Sequence, residues 1–391
     1  MNKDTRIDKN LLEKAISLNK GICLELATGY GKTKLAINTA QSLASQYRIG
    51  YNILILVDRT LHKQNWEEEI TKWGGFAPNV KVTYACYASL KKYANSCYDI
   101  IICDEAHHLY TDSRISYFES ISAKKYIYLS ATLQKDFKYY LMRKGTKFFS
   151  IGLVDAIQAG VLPSPKIIKI PLQLPTKEEM WIVINGNSKK EKKFCTYSQM
   201  WEFRSKFRKH PIYVKCNAAQ KYAYMSKTME YYKQKNMSFQ MKRLGMQRLK
   251  WLSEQREVHT SSLLYTHRNE RTITFCSSIA QADRLGAHSI HSKNKDSMEL
   301  YDAFNAGSIN HITACSMLNE GMNLIGCKVA IFANYNASET KCIQRIGRAL
   351  RHKEPVILMP YFVGTREEQI VNTILKDYDK SVITTVKWKK K

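Results

Sequence analysis

Leu26-Ala27-Thr28-Gly29-Tyr30-Gly31-Lys32-Thr33 decides how this chain is read. It follows an apolar run, Gly21 to Leu26, with the character of a buried strand, and it precedes Leu35 to Leu43, which has the character of a helix. Glycines at such a switch let backbone N–H groups turn inward where a Cβ would obstruct them. The helix N-terminus adds partial positive charge. In a cradle of this kind Thr28, Gly29, Tyr30 and Gly31 wrap a nucleotide's phosphates, Lys32 reaches the β- and γ-phosphates, and the Thr33 hydroxyl faces Mg²⁺. A bare glycine turn would not require Gly-Lys-Thr at this point. Leu26 stands where such loops usually open on a smaller residue.

Further apolar segments follow at a regular rhythm: Asn52 to Val57, Val80 to Tyr84, Tyr98 to Cys103 and Lys125 to Leu129. Polar clusters stand at their C-terminal ends, and helical stretches separate them. That alternation predicts a parallel α/β sheet with ligands at the strand C-termini. A helix over residues 5–20 is expected to pack beside the pocket. Asp104-Glu105 closes one of the apolar strands. Asp104 is placed to hold the Mg²⁺ of a nucleotide, and Glu105 to polarise an attacking water. An acidic pair alone would be a solvated loop. Some 70 residues after a phosphate cradle, it reads as the second half of the same site.

The chain has 391 residues, enough for two domains, and 44% apolar content. Its formal net charge of +27 points to a polyanionic partner. Ten cysteines show no metal-ligand spacing, and several lie in apolar runs, as expected of buried thiols in a reducing compartment. The N-terminus MNKDTRIDKN has no apolar leader character, and no apolar run reaches membrane-spanning length. The expectation is a cytoplasmic protein that does not engage membranes and is compatible with a monomer.

Farther on, Gln344-Arg-Ile-Gly-Arg-Ala-Leu-Arg351 has helical spacing, with Gln344, Arg348 and Arg351 at i, i+4 and i+7 on one face. Cations so placed can stabilise charge developing on a transferred phosphoryl group.

Taken in order, Thr28–Thr33, Asp104-Glu-Ala-His-His108 and Ser130-Ala-Thr132 resemble motifs I, II and III of superfamily 2 helicases. Thr272 to Cys276 resembles motif IV, Thr313 to Leu324 motif V, and Gln344 to Arg351 motif VI. The DEAHH sequence is most similar to the type III restriction/UvsW-like, DEAH-type branch, which includes phage and mobile-element helicases. The resemblance implies two tandem RecA-like domains, 1–155 carrying motifs I to III and 156–391 carrying motifs IV to VI. It implies an ATP hydrolase using ATP and Mg²⁺, with Lys32, Asp104, Glu105, Gln344, Arg348 and Arg351 catalytic. Glu320 and Gly321 of motif V would join the nucleotide contacts. Arg59, Thr60, Ser89 and Thr313 would touch nucleic-acid phosphates. The implied substrate is DNA, single-stranded, forked or branched, unwound or remodelled in replication, recombination or repair with 3′→5′ polarity. An RNA helicase and the motor of a restriction or defence complex are the alternatives. The location would be the host cytoplasm if the chain is viral. Leu12 stands where many relatives carry an adenine-reading Gln, which leaves the base open.

Residues 152–174 read as the crossing between domains. Residues 176–262 break the α/β rhythm and carry 19 lysines and arginines against seven acids. Tyr222, Tyr224, Tyr231, Tyr232, Trp201 and Trp251 are interleaved with these cations. The segment reads as a basic helical insertion beside a nucleic-acid path. The tail Lys387-Trp-Lys-Lys-Lys391 is a further basic patch or a frayed end.

Overall fold

The computed structural model describes residues 9–17, 20–47, 50–184, 191–315, 324–335, 342–343, 345–347 and 352–388. Contacts divide the chain into two compact units. One comprises Met1–Pro165 with Leu318–Lys328 and Thr340–Pro355; the other comprises Lys166–Met317, Val329–Glu339 and Val356–Lys391.

The first unit is built on six parallel strands: β1 (Gly21–Leu26), β2 (Tyr51–Val57), β3 (Val80–Cys86), β4 (Cys97–Cys103), β5 (Ser122–Ser130) and β6 (Thr146–Ile151), in the order β3-β2-β4-β5-β1-β6. The first five lie where the apolar runs put them. β6 has no such run, since its sequence TKFFSI is half-polar and its flank is only partly covered. Helices α1 (Lys9–Ser17), α2 (Lys32–Ala44), α3 (Thr60–Lys72), α4 (Asp112–Glu119), α5 (Lys135–Arg143) and α6 (Leu153–Gln158) complete the unit. Of the helix expected over 5–20, the described part is α1.

Strands covered on both faces need apolar residues at every position, which is why Ile53 to Val57 and Ile100 to Cys103 are fully buried. One core cluster joins Leu54, Leu56, Ile101, Tyr128, Phe137 and Leu141. Burying each such side chain is worth about 1.5–3 kcal/mol. Register then sets the site. Tyr128 of β5 faces Cys103 of β4 on one side and Cys23 of β1 on the other. The residues that follow these three strands therefore emerge side by side along one edge.

The second unit has a seven-stranded parallel sheet. Its order is β12-β13-β11-β14-β15-β7-β16, with β7 (Lys166–Leu172), β11 (Thr272–Phe275), β12 (Ser289–Ile290), β13 (His311–Ala314), β14 (Val329–Phe332), β15 (Val356–Phe362) and β16 (Ile383–Thr385). Between β7 and β11 lies the basic insertion, and here sequence and structure part. It is not helical throughout. It opens with a separate three-stranded sheet of β8 (Glu179–Ile184), β9 (Lys193–Thr196) and β10 (Ile212–Asn217), ordered β8-β10-β9. Helix α7 (Met200–Lys206) lies between β9 and β10. Only then come the helices α8 (Ala218–Gln234), α9 (Ser238–Gln255) and α10 (Glu257–Thr266). The period-2 alternation of Glu179–Ile184, buried at Ile182 and Ile184 alone, is short and sits in a lysine-rich context that hides it.

At the junction of α9 and α10 the Arg256 guanidinium is fully buried and paired with the fully buried Glu367. It also donates to the Ala333 carbonyl at 2.8 Å and lies over the rings of Tyr335 and Phe362. This side-chain pair ties the helical end of the insertion to the helix Arg366–Leu375.

Candidate nucleotide site

The cradle forms where β1 ends. Gly29 and Gly31 have φ of 92° and 104°, a region that favours glycine, and Gly31 is the N-cap of α2. The Tyr30 N–H donates to the Ala27 carbonyl at 3.1 Å, closing the turn. A Cβ at Gly31 would meet nothing within 4 Å, so the space above the turn is open. The Lys32 ammonium donates to the Leu26 carbonyl at 2.8 Å, inside its own loop. An anion in the cradle would compete for that cation. Thr28, Gly29 and Thr33 are half-buried around the same turn, and Tyr30 is buried beneath it.

Asp104 and Glu105 follow β4. Asp104 accepts from the Trp66 indole N–H at 2.9 Å and from the Glu105 N–H at 3.0 Å. Burial pushes its carboxyl up from 3.8 to about 6; Glu105 adds to the rise, and the Trp66 hydrogen bond and Lys32 offset part of it. Glu105 has φ of 45°, and its Oε2 is buried without a hydrogen bond. The His107 Nδ1 lies 3.5 Å from that Oε2. A crowded acidic pair with an orphaned oxygen fits a divalent cation and its water at this edge. Among the described residues no group of three His, Cys, Asp or Glu could hold a metal alone. Here Thr33 and Asp104 would hold Mg²⁺ together with phosphate oxygens.

His107 also lies 3.3 Å from the Ser130 hydroxyl, which donates to the Thr132 carbonyl at 2.7 Å. The expected motif II and motif III residues are thus in contact. His108 Nδ1 stands 3.5 Å from Asp58, which also pairs with Arg59. The His107 and His108 rings lie 4.2 Å apart, so a chain of side-chain contacts runs from Glu105 to the turn at Asp58-Arg59-Thr60. The Arg59 side chain is 54% exposed and Thr60 is exposed, as a phosphate contact requires. The Ser89 hydroxyl is half-buried and donates to the Cys86 carbonyl at 2.8 Å.

Thr313 corrects the sequence reading. It is fully buried in β13 and its hydroxyl donates to the Ala282 carbonyl at 2.9 Å. It is a core hydroxyl, not a phosphate contact. Glu320, Gly321, Gln344, Arg348 and Arg351 lie outside the described residues. Arg345 and Gly347, beside them, are buried, and the first unit includes their segment. Within that unit a Cβ at Gly347 would come 2.9 Å from the Thr28 Cβ.

Three contributors were not legible in advance. Trp66 and Tyr87 support Asp104, through its side chain and, at 2.7 Å, its carbonyl. Both are ordinary core aromatics in sequence. Glu25 lies within β1 and accepts from Leu133 N–H at 3.0 Å, Lys138 at 2.7 Å and Ser150 at 2.6 Å. A carboxylate in an otherwise apolar strand was its one signal.

Two parallel α/β units, one presenting a glycine turn beside an acidic pair, define a tandem RecA-like architecture. Comparison with known proteins agrees. The family "type III restriction enzyme, res subunit" matches residues 3–86, and the "helicase conserved C-terminal domain" matches 254–353. The probable helicase D10 of Escherichia phage T5 is 26% identical over 175 residues, which is 41% of this chain and 37% of that protein. The match thus spans little more than a third of that relative. Saccharomyces cerevisiae Dbp5 bound to RNA and ADP BeF3 superposes with a TM-score of 0.58 at 13% identity, covering 96% of this chain and 89% of that one. The type ISP restriction-modification enzyme LlaBIII bound to DNA gives 0.58 at 13% identity, covering 99% of this chain and 31% of that one. The Pyrococcus furiosus Hef helicase domain gives 0.52 at 16% identity, over 93% of this chain and 97% of that one. The chain thus carries two segments that match helicase-type family models, one containing the cradle and one towards its C-terminal end. Among the described residues no helix is long and apolar enough to cross a membrane.

Proposed function

We propose that the chain is an ATP- and Mg²⁺-dependent motor that unwinds or remodels DNA at single-stranded, forked or branched sites. The observation that carries this reading is the single sheet edge on which the Lys32 cradle and the Asp104–Glu105 pair emerge, on either side of β5. Lys32 neutralises phosphate charge, Thr33 and Asp104 hold the metal, and Glu105 orients and deprotonates water. Magnesium, when bound, supplies Lewis-acid stabilisation of the phosphoryl oxygens. Gln344, Arg348 and Arg351 would add cationic stabilisation, and Glu320-Gly321 a further nucleotide contact. Arg59, Thr60 and Ser89 would grip the nucleic-acid backbone without reading sequence.

DNA is favoured over RNA by the restriction-type family match at the cradle end and by the phage relative. The test is ATP hydrolysis by the whole chain with forked DNA, four-way junctions, single-stranded DNA or RNA. Stimulation by forked or branched DNA above RNA is expected. Greater stimulation by RNA would transfer the proposal to an RNA helicase. No hydrolysis with any of them would end the motor reading.

A further inference from the structure

We propose that the three-stranded sheet of the insertion is a stacking platform for unpaired bases of single-stranded nucleic acid. The inference rests on the motor reading above for the class of ligand, and adds a place and a mode of binding. A small sheet with one covered face normally turns polar residues outward. Here the covered face holds Ile182, Ile184, Cys195, Val214 and Cys216 against Met200. The opposite face carries Trp181, Val183 and Phe194, which are 53%, 47% and 56% exposed. Register gathers them. Tyr213 of the central strand lies opposite Val183 on one side and Phe194 on the other, and Lys215 lies opposite Trp181 and Thr196.

The rings are arranged rather than scattered. Phe194 and Tyr213 stack with centroids 5.2 Å apart at 30°, and Trp181 meets Phe194 edge-on at 5.5 Å. Beside Trp181 the β8 edge borders a cavity of about 340 Å³ also lined by Val183, Lys221 and Tyr224. Such a space can receive a planar ring.

Charge selects the occupant. Residues 176–217 contain ten lysines and arginines against four acids. Lys192 sits 5.4 Å above the Tyr213 ring, and Lys215 stands on the same face in an exposed pair with Glu179. Aromatic faces framed by lysines suit a chain that is anionic along its backbone and flat in its bases. A protein strand or second copy would bury the aromatics but bring no phosphate to Lys192 beside them. The platform requires no particular sequence, because every base has a π-face.

The test uses the full chain with Trp181→Ala, Phe194→Ala and the double variant. Binding of a labelled 20-nucleotide oligo(dT) is followed by fluorescence anisotropy across salt concentrations. Melting temperature and ATPase without nucleic acid report on the fold and the nucleotide site. Each single variant is expected to bind about 5- to 100-fold more weakly, with the salt slope unchanged. Lys192→Ala is expected to make that slope shallower by about one. Phe194→Tyr should retain wild-type affinity. An abasic oligomer of equal length should bind the wild type as weakly as oligo(dT) binds the double variant. Wild-type affinity in a folded double variant overturns the platform while leaving the motor reading intact. A change in sedimentation without a change in oligonucleotide affinity makes the face a self-association surface and also overturns it. A wild-type chain that neither binds the oligonucleotide nor hydrolyses ATP defeats both readings.

Discussion

Two buried acids, one in each unit, are treated in opposite ways. Glu367 is sealed against Arg256, and the guanidinium is further held by a carbonyl and two rings. Asp104 is sealed at the edge of the first sheet, where burial and Glu105 push its carboxyl up to about 6. The first arrangement cancels charge inside the fold. The second leaves charge poorly compensated where a cation can arrive. A buried charge cancelled by its own chain is a fastener; one left exposed to a missing partner is a binding site. The contrast yields variants that should move stability and turnover in different directions.

The largest effect is expected at the acidic pair itself. Glu105→Gln should retain ATP binding while turnover falls about 10²–10⁴-fold, the usual contribution of a positioned base. Lys32→Ala should lose both binding and hydrolysis, because the cradle loses its cation. Steady-state ATPase and nucleotide titration check both. Unchanged turnover in either variant would remove the functional half of the contrast. Next comes the fastener. Arg256→Ala should destabilise the second unit by about 3–5 kcal/mol, since Glu367 is left buried without its partner. Arg256→Met with Glu367→Leu should recover most of that loss in urea unfolding. If the single variant is as stable as the wild type, the pair is not what fastens α9 and α10 to the helix Arg366–Leu375.

Asp104→Asn is the third test and should have the opposite sign. The gap between 3.8 and about 6 corresponds to about 3 kcal/mol of strain at pH 7. The amide can accept from only one of Trp66 and the Glu105 N–H, which returns about 1 kcal/mol. The nucleotide-free variant should therefore gain about 1–2 kcal/mol while losing Mg²⁺-dependent hydrolysis. A destabilised Asp104→Asn protein would mean that the carboxylate fastens the fold as Glu367 does.

The contrast also explains what could be read in advance. Strands β1, β2 and β4 were legible because strands covered on both faces are apolar nearly throughout; β3, at the sheet edge and buried only at Ala85, was legible by its place in the rhythm of strands and helices. Lys32, Asp104 and Glu105 were legible because a cradle and an acidic pair use few residue types at fixed strand ends. The neighbours that tune them were not. Trp66 is six residues into a helix whose sequence marks it only as core, and its indole meets Asp104 across 38 positions of chain. Thr313 misled because threonine beside a strand end suits phosphate and core alike; only its burial decides. The sheet of the insertion was obscured because its apolar face contributes just two fully covered positions in β8, amid lysines. Charge density hides short strands, since it dilutes the alternation that marks them.

The smallest effect lies in how the two units respond to acid. His311, at the start of β13, is held neutral: burial, with some help from His288, pushes its imidazole down from 6.5 to about 4. The unfolded chain therefore takes up that proton first as pH falls. The His311 contribution is fully present above about 6.5 and is lost as pH drops towards about 4. Asp104 has the reverse sign. Its folded form takes up the proton first, so its strain is relieved as pH falls from about 6 towards 3.8. Over the same window the second unit should lose about 1–2 kcal/mol through His311 while the first regains stability through Asp104. His311→Leu should remove the acid-side loss and leave ATPase at pH 8 unchanged. Asp104→Asn should remove the acid-side gain. Unfolding followed at pH 7.5 and 5 in both variants reads the two slopes separately. Parallel slopes in both would show that the two units handle buried charge alike, and the distinction drawn between fastener and site would fail.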